Sequence, residues 1–368
     1  MFGKILVKWI LLVTNLVVAL FLLITLFGSV YSPEKFLFPS YFALFFPITL
    51  ILNIGFVVIW LFARKWNFLI SFSLLLFSAN QINVAFPIHF GKLEKVNATC
   101  PVNLLTYNTK MSGNLVKGTR RKPNKVMQYI ANSNADIVCL QEFEVSTEKQ
   151  YITLEDMMRI FKNYKYKHIE FKAKNYKSFI GIATFSKFPI VNRKRIGFLS
   201  RANISIYTDI KIQGKTIRLF NNHLESNRIT ESDKEMSNSL KEKFDAENIT
   251  GITKHFSQKL GIAYKLRAHQ ADTIAGLISE SPYKVIVCGD FNDVPVSYAY
   301  TKMKGNLKDA FSETSYGFGW TFSEPFYGFR IDYVLYDSTA FSPINFKIDK
   351  VNYSDHFPVS CTLNINNI

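Results

Sequence analysis

The sequence has few cysteines and no closely spaced cysteine pair. Cys100, Cys139, Cys288 and Cys361 lie far apart, and none belongs to a Cys-x-x-Cys motif. This spacing argues against a cysteine-based zinc site, which needs ligands about two to four residues apart. Three of the four cysteines lie in apolar runs typical of strands. We therefore predict buried free thiols.

Charged residues are almost missing from three stretches near the amino terminus. Residues 5–31 contain one charge, Lys8, and residues 41–63 and 68–86 contain none. Each of the first two runs is long enough to cross a bilayer as a helix of about 20 residues. The third run carries Asn80, Gln81 and Asn83 near its end, yet we predict that it also spans. The first run is too long for a secretory signal and lacks a cleavage site, so we expect it to be retained.

The basic residues beside these runs predict how the anchor is oriented. Lys4 and Lys8 lie at the start of the first run, Arg64 and Lys65 separate the second run from the third, and the first loop carries only Lys35. Because lysine and arginine accumulate in cytoplasmic loops, we expect the amino terminus inside. Three spans then place residues 100–368 on the outer face of the cell (inner) membrane, whereas two spans would place them inside. No charged pair of the kind that an ion path needs lies within the runs, which argues against a transporter.

Acidic residues are also scarce. The chain has 28 Asp and Glu against 44 Lys and Arg, a net charge of +16. Residues 1–99 contain seven basic and two acidic residues, so the remainder carries about +11. Such a charge attracts polyanions such as nucleic acid, anionic lipid head groups or phosphorylated sugars. A generally lysine-rich composition explains it equally well.

Residues 100–368 alternate short apolar runs with amphipathic segments, a pattern typical of a layered α/β domain. We therefore divide the chain into a membrane anchor, residues 1–99, and a second domain, residues 100–368. The segment 124–132 predicts a helix, as does 266–278. Residues 225–264 form a polar, charged insertion, predicted to be a mobile or helical arm, and no internal repeat is visible. The predicted strands are 102–107, 137–140, 178–185, 204–212, 216–221, 285–288, 331–336 and 359–363, with a hairpin at Gln213-Gly214-Lys215.

Polar residues follow four of these predicted strands. Asn108, Glu142, His223 and Asp290 each come directly or shortly after a strand. Strand ends meet at one rim of a layered sheet, where functional sites usually lie. Taken alone, Glu142 fits a surface acid at a strand end better than a functional group. Asp290 and Asn292 point the same way if the segment stays extended, and the alternative is an Asx turn.

Two of the six histidines lie beside acids. His223 belongs to the segment Asn221-Asn222-His223-Leu224-Glu225, and His356 follows Asp355. A single histidine is more often structural than catalytic, but two at strand ends favour acid–base chemistry on a phosphoester. Asp332 is then a candidate for orienting one imidazole.

These segments together match a known pattern. The order TYN at 106–108, DIVCLQE at 136–142, GIATFSKFPI at 181–190, NNHLES at 221–226, GDFND at 289–293, RIDYVLY at 330–336 and SDHFPV at 354–359 resembles the endonuclease/exonuclease/phosphatase superfamily. The resemblance covers residues 101–366. It implies a four-layered α-β-β-α sandwich of two mixed sheets and a divalent cation, Mg²⁺ or Mn²⁺.

The resemblance also implies roles for single residues. Glu142 corresponds to the principal metal ligand, with Asn108 beside it and Asp355 near the cation. Asp290 corresponds to the residue that orients or deprotonates the attacking water, and Asn292 to a phosphate contact. His356 is similar to the histidine that binds the scissile phosphate or transfers a proton, with Asp332 as its partner.

His223 distinguishes branches of the superfamily. The His-Leu form is similar to the deoxyribonuclease I-like, sphingomyelinase-like and inositol-phosphatase-like branches. Lys110 stands where the DNA-repair branch carries an acid, and that branch's site tyrosine has no clear match, which argues against a DNA-repair role.

The sequence thus predicts a membrane-anchored, metal-dependent phosphoesterase. Its substrate is a nucleic acid, a phospholipid or an inositol phosphate. The competing hypothesis is a non-catalytic membrane interaction protein that retains the fold.

Overall fold

The computed structural model of the chain describes residues 2–89, 98–113, 124–174, 177–198, 200, 203–230, 232–233, 235–236, 246–324 and 327–366. The chain divides into two compact units. Residues 1–85, 227–269 and 294–302 form the first unit, and residues 86–226, 270–293 and 303–368 form the second.

The first unit begins with apolar helices. These are α1 (Phe2–Val30), a 3₁₀ helix (Phe38–Phe45), α2 (Phe46–Phe62), α3 (Phe68–Phe77) and α4 (Ala79–Ala85). The helical segments Phe2–Val30 and Phe38–Phe62 are each long and apolar enough to cross a membrane. The third predicted span is a pair of helices, α3 and α4, bent by 66° at the break between them. The described residues therefore contain two helical segments that could cross a membrane, or three if the bent pair counts as one.

Polar contacts join the apolar helices. Asn15 of α1 is fully buried; its Nδ2 donates to Ser71 Oγ of α3 at 2.6 Å, and Trp60 Nε1 of α2 donates to Asn15 Oδ1 at 2.8 Å. An amide that bonds to two neighbours is a common way to fix helices in an apolar environment. One asparagine therefore links three helices of the anchor.

The second unit contains two six-stranded mixed sheets. The first has the order β13-β14-β1-β2-β4-β3 and the second β5-β6-β7-β8-β12-β9; β10 and β11 form a separate hairpin. The strands are β1 (Pro101–Asn108), β2 (Ile137–Ser146), β3 (Tyr166–Lys174), β4 (Ser178–Ser186), β5 (Ile190–Ile196), β6 (Ile204–Ile212), β7 (Lys215–His223), β8 (Lys284–Asp290), β9 (Lys308–Asp309), β10 (Phe322–Glu324), β11 (Tyr327–Phe329), β12 (Asp332–Tyr336), β13 (Phe341–Ile348) and β14 (Val359–Ile365).

The two sheets pack face to face. Their shared core contains Leu104 and Cys139 from the first sheet and Leu219, Ile286 and Val334 from the second. The remaining helices are α5 (Lys110–Gly113), α6 (Lys125–Ala131), α7 (Leu154–Ile160), α8 (Ala246–Ser279), α9 (Tyr298–Lys304) and α10 (Ala310–Thr314). Residues of α6 and α7 pack on the outer face of the first sheet. The predicted α/β sandwich of two mixed sheets with flanking helices is therefore confirmed.

Several local predictions can be compared with these elements. The helix predicted at 124–132 begins at Lys125, because the Asn124 side chain caps the Met127 amide. The hairpin turn falls at Gln213–Gly214, between antiparallel β6 and β7. The four cysteines are free, and three are buried. The end of the predicted polar insertion belongs to α8, which starts at Ala246. Residues 237–245 of the insertion lie outside the described part of the chain.

Candidate active site

Three predicted site residues lie side by side on neighbouring strands of the second sheet. His223 ends β7 and pairs with Asp290, which ends the parallel strand β8. Asp290 in turn pairs with Asp332, the first residue of the antiparallel strand β12. Directly paired residues project to the same face of a sheet. The strand register alone therefore brings these three side chains together.

Glu142 reaches the site in a way that the sequence did not predict. The strand predicted at 137–140 continues to Ser146, so the expectation that Glu142 follows a strand is wrong. Glu142 instead lies in a β-bulge, where the pairing of β2 with β4 shifts between Leu140 and Phe143, and its φ is 48°. A bulge redirects one side chain without ending the strand. The backbone distortion therefore aims this carboxylate.

Asp290 is the centre of the cluster. Asn108 Nδ2, from the end of β1, donates to Asp290 Oδ2 at 2.9 Å and lies 3.4 Å from Glu142 Oε1. The Nε2 atoms of His223 and His356 each lie 3.8 Å from Asp290 Oδ2. His223 Nε2 is also 3.7 Å from Glu142 Oε1. One buried carboxylate thus contacts residues from both sheets.

Asn292 is placed by a turn rather than by an extended strand. Its φ is 52°, and its backbone N–H donates to Asp290 Oδ1 at 2.8 Å, which is the Asx turn named as the alternative. Of the two alternatives that the sequence left open, the structure has the turn. The two side chains still meet, because Asn292 Nδ2 donates to Asp290 Oδ2 at 3.1 Å and to the Leu224 carbonyl at 3.0 Å.

His356 and Asp332 form a buried pair. His356 Nδ1 lies 2.9 Å from Asp332 Oδ2, and both residues are at most 5% exposed. Burial by itself lowers the pKa of His356, but the charges of Asp332 and Asp290 outweigh it and raise the pKa to about 10. His356 is therefore an imidazolium at neutral pH.

The other ionisable groups respond mainly to burial. Burial raises the pKa of Asp290 to about 6, although the charge of His356 opposes the shift. Burial also raises the pKa of Glu142 and lowers that of His223. Neighbouring groups with displaced pKa values are typical of a site that handles protons.

Asp355 lies at the edge of the cluster. Its Oδ2 is 2.9 Å from Lys110 Nζ, and Ser354 Oγ, which donates to the Asn108 carbonyl, is 3.2 Å from its Oδ1. The charges of His356 and Lys110 hold the pKa of Asp355 below its usual value despite its burial. The eight predicted site residues thus belong to one connected cluster.

The donor atoms suit a hard divalent cation. Glu142, Asn108 and Asp355 offer carboxylate and amide oxygens, which Mg²⁺ and Mn²⁺ prefer. The Glu142 side chain is 30% exposed, and within the described residues it forms no ion pair with a lysine or arginine. Asp290, Asp332 and His356 form a second group whose ligand atoms lie within 4.8 Å of one another. In that second group, His356 Nδ1 and Asp332 Oδ2 are already bonded to each other. The group around Glu142 therefore fits a cation better than the second group does.

Asn203 is a residue of the site that the sequence did not predict. Its Nδ2 lies 3.2 Å from His223 Nε2 and donates to the Leu224 carbonyl at 2.7 Å. The signal was available in the hairpin register, because the turn at Gln213–Gly214 pairs Ile204 with His223. Asn203 therefore had to lie beside that histidine.

Gly289 sets the close approach of β7 and β8 just before Asp290. Its φ is +116°, and a Cβ at this position would meet the Asn222 carbonyl oxygen at 2.2 Å. We expect Gly289→Ala to destabilise the protein by more than about 2 kcal/mol, seen as a Tm lower by about 5 °C or more. Thermal unfolding of the full-length protein measures this.

Gly276→Ala is the matched control. Gly276 lies inside α8 with no atom within 4 Å of an added Cβ. The same substitution there should leave the Tm unchanged or raise it slightly, since alanine favours a helix by about 0.5–1 kcal/mol. Equal Tm values for the two variants would contradict this account of Gly289.

The sequence and the structure were compared with known proteins. Residues 105–356 match the family model described as the endonuclease/exonuclease/phosphatase family, and residues 8–85 match a model described as a domain of unknown function. A search of the curated proteins finds none that matches this chain.

Similar solved structures include three with low sequence identity. An endonuclease/exonuclease/phosphatase from Beutenbergia cavernae DSM 12333 is 15% identical, with 73% of this chain and 72% of that chain covered and a TM-score of 0.47. The human Nocturnin catalytic domain with bound sulfate is 16% identical, with 72% of this chain and 95% of that chain covered and a TM-score of 0.45. An endonuclease/exonuclease/phosphatase from Bacteroides vulgatus is 17% identical, with 73% of this chain and 100% of that chain covered and a TM-score of 0.45. The family match does not depend on these likenesses, and it covers most of the chain: the protein belongs to the endonuclease/exonuclease/phosphatase family.

Proposed function

We propose that the protein is a membrane-anchored, divalent-metal-dependent phosphoesterase that hydrolyses a phosphodiester by attack of water. Members of its family are generally hydrolases of phosphoester bonds. The observation that carries the proposal is the position of Asp290. This carboxylate lies 3.8 Å from the imidazolium of His356 and is joined through Asn108 to Glu142. A base, an acid and a cation ligand therefore surround one small space.

Asp290 orients and deprotonates the attacking water in this proposal. Burial raises its pKa to about 6, so near neutral pH it is mostly ionised yet basic enough to take a proton. The amides of Asn108 and Asn292 donate to its Oδ2 and fix its direction. A base held by two donors needs little rearrangement when the water reacts.

His356 supplies positive charge and a proton. Asp332 holds its Nδ1, which leaves Nε2 facing Asp290 and the space in front of it. An imidazolium there stabilises the charge on the phosphoryl oxygens, or protonates the leaving oxygen. Burial lowers the pKa of His223, and the Asn203 amide, which can only donate, lies 3.2 Å from its Nε2, so the neutral ring accepts at that atom.

Glu142, Asn108 and Asp355 would hold the cation. When bound, a divalent cation polarises the phosphoryl oxygens and offsets their negative charge. Lys110 pairs with Asp355 and adds a second positive charge at the same edge.

The proposal is tested with the full-length protein in detergent. Bis(nitrophenyl) phosphate is a soluble diester and nitrophenyl phosphate the matching monoester. In oxygen-labelled water with Mg²⁺ we expect nitrophenolate from the diester and one labelled oxygen in the phosphoryl product. Absence of nitrophenolate from both compounds would favour the alternative, a non-catalytic interaction protein that retains the fold.

The first unit contains a contact that bears on membrane orientation. Tyr41, in the 3₁₀ helix between α1 and α2, donates from its hydroxyl to the Ser257 carbonyl of α8 at 2.8 Å. Its ring meets the Tyr264 ring edge-on at 5.6 Å, and a Cβ at Gly261 would lie 2.7 Å from the Tyr41 hydroxyl. The helix α8 therefore packs against the start of the second candidate span, next to the first loop.

This contact supports an odd number of crossings. If Phe2–Val30 and Phe38–Phe62 each cross the bilayer, the start of the second span, which contains Tyr41, and the loop that contains Lys65 are on opposite sides. Because α8 contacts the start of the second span, we propose that the bent pair α3 and α4 is a third crossing. Because lysine and arginine accumulate in cytoplasmic loops, the basic residues at the amino terminus and near Lys65 support a position outside for α8 and the proposed catalytic residues.

Single cysteines test the orientation. Lys35→Cys, Lys65→Cys and Lys177→Cys replace exposed lysines in the first loop, the second loop and the second unit. A membrane-impermeant maleimide added to intact cells should label positions 35 and 177, and position 65 only after lysis. The wild-type protein measures the background from the four native cysteines. Labelling of position 65 in intact cells, without position 177, would overturn the orientation.

A further inference from the structure

An aromatic segment, Tyr316–Phe322, displays large side chains on the surface of the second unit. Tyr316 is 55% exposed and Trp320 is 49% exposed. Phe318 lies between them in sequence and stacks on Trp320, with ring centroids 6.1 Å apart. Rings that combine an apolar body with a polar tip are common where protein meets the membrane–water interface.

Close backbone contacts fix the position of these exposed aromatic side chains. Gly317 and Gly319 have φ values of +77° and +59°, and a Cβ at Gly319 would meet the Phe311 ring at 2.3 Å. The indole of Trp320 lies flat against Gly328 of β11, where a Cβ would meet it at 2.5 Å. The exposed indole is therefore positioned by packing.

One end of the aromatic segment contacts the residues that follow α4. Phe86 is the first residue after α4, and its ring meets the Phe318 ring edge-on at 4.7 Å. The Gly317 N–H donates to the Pro87 carbonyl at 3.3 Å, and the rings of His89 and Tyr316 are 5.1 Å apart. The segment therefore begins where the chain leaves the last anchor helix.

The other end of the aromatic segment contacts the active site. The Phe322 ring lies 5.1 Å from the His356 ring. Thr321 Oγ1 accepts hydrogen bonds from the Ile331 and Asp332 amides at 3.0 and 3.1 Å. The same residue's carbonyl accepts from the Phe357 amide at 2.6 Å. Seven residues thus connect Phe86, Pro87 and His89 to the pair of His356 and Asp332 within the second unit.

A groove of about 350 Å³ opens along the aromatic segment. Its walls include Phe318, Trp320, Phe346 and Ile348, and Lys350 adds one ammonium group. Apolar walls with a single cation suit a hydrocarbon chain joined to an anionic head group.

We infer that the substrate is a membrane lipid with a phosphate ester in its head group, which the aromatic segment draws from the bilayer toward His356. The inference rests on the proposed phosphoesterase function. Exposed aromatic rings also stack on the bases of single-stranded nucleic acid. The contacts of Phe86 and Pro87 favour the lipid, because they tie the segment to the membrane end of the chain.

The experiment compares two substrates with the same full-length protein. Vesicles of phosphatidylethanolamine and phosphatidylglycerol supply the lipid, and bis(nitrophenyl) phosphate supplies a soluble diester. We expect head-group or phosphate release from the vesicles. Trp320→Ala should lower the ratio of lipid turnover to soluble-diester turnover about tenfold, since it removes a large apolar contact. Tyr283→Ala is the matched control, an aromatic residue 38% exposed just before the opposite end of β8, and should leave the ratio unchanged.

The outcomes separate the two proposals. Turnover of the soluble diester without turnover of lipid overturns the lipid inference and leaves the phosphoesterase. Turnover of neither contradicts the proposed function itself. Faster turnover of a single-stranded oligonucleotide than of lipid, with the same loss in Trp320→Ala, would assign the aromatic segment to nucleic acid and overturn the inference.

Discussion

Replacing His356 with alanine should lower kcat for the soluble diester by about three orders of magnitude, with a much smaller change in KM. The imidazolium, whose pKa is raised to about 10, faces the carboxylate of Asp290 at 3.8 Å. Its loss removes the positive charge, or the proton donor, that acts on the reacting phosphate, and one such group contributes about 10²–10⁴-fold. Steady-state kinetics with bis(nitrophenyl) phosphate measure this loss.

The partner of His356 provides the control. Asp332 holds the imidazole at 2.9 Å, so Asp332→Asn should also lower kcat, and the double variant should be no slower than His356→Ala alone. Non-additive losses of this kind are expected of residues that act as a unit. Circular dichroism checks that the variants fold. Full activity in a folded His356→Ala protein would rule out the role given to this residue.

Replacing Glu142 with glutamine should lower activity at least about a hundredfold and shift the Mg²⁺ concentration needed for half-maximal activity upward. Glutamine keeps the shape of the side chain but removes the negative charge that a cation requires. Metal ligands and their partners typically contribute about 10–100-fold to metal affinity or activity. The Mg²⁺ dependence of the rate measures the shift.

Glu170→Gln is the matched control for this prediction. Glu142 and Glu170 lie on β2 and β3 of the same sheet, and their side chains are 30% and 33% exposed. Only Glu142 faces the cluster around Asp290. Calorimetric titration with Mn²⁺ gives a readout that does not depend on activity: affinity should fall in Glu142→Gln and stay unchanged in Glu170→Gln. Equal affinity in both variants would place the cation elsewhere.

The sequence was sufficient to predict the parts of the site that depend on strand order. Apolar runs ending in polar residues located the ends of β1, β7 and β8, and so Asn108, His223 and Asp290. The parallel and antiparallel register then aligns His223, Asp290 and Asp332 in one row. Alternation and strand ends follow from short-range chemistry, and a sequence shows short-range chemistry directly.

The features that the sequence did not predict depend on local backbone distortion. Glu142 and Asn292 both have φ near 50°, a conformation unusual for residues other than glycine. Their side chains reach Asp290 and its neighbours only because of that distortion, one through a bulge and the other through an Asx turn. The Asn292 side chain bonds to the Leu224 carbonyl, and the Glu142 carbonyl accepts from Thr109 Oγ1. Such contacts join residues far apart in the chain and leave no pattern in the sequence.

The most direct test of the account is the metal dependence of hydrolysis by the full-length protein. Nitrophenolate release from bis(nitrophenyl) phosphate is followed while Mg²⁺ is added to protein first treated with a chelator. Without added Mg²⁺ we expect no nitrophenolate release above background. The rate of release should rise and saturate with Mg²⁺, and it should be lost when the chelator is added again. Undiminished hydrolysis in the chelator, or none at any concentration of Mg²⁺ or Mn²⁺, would contradict it.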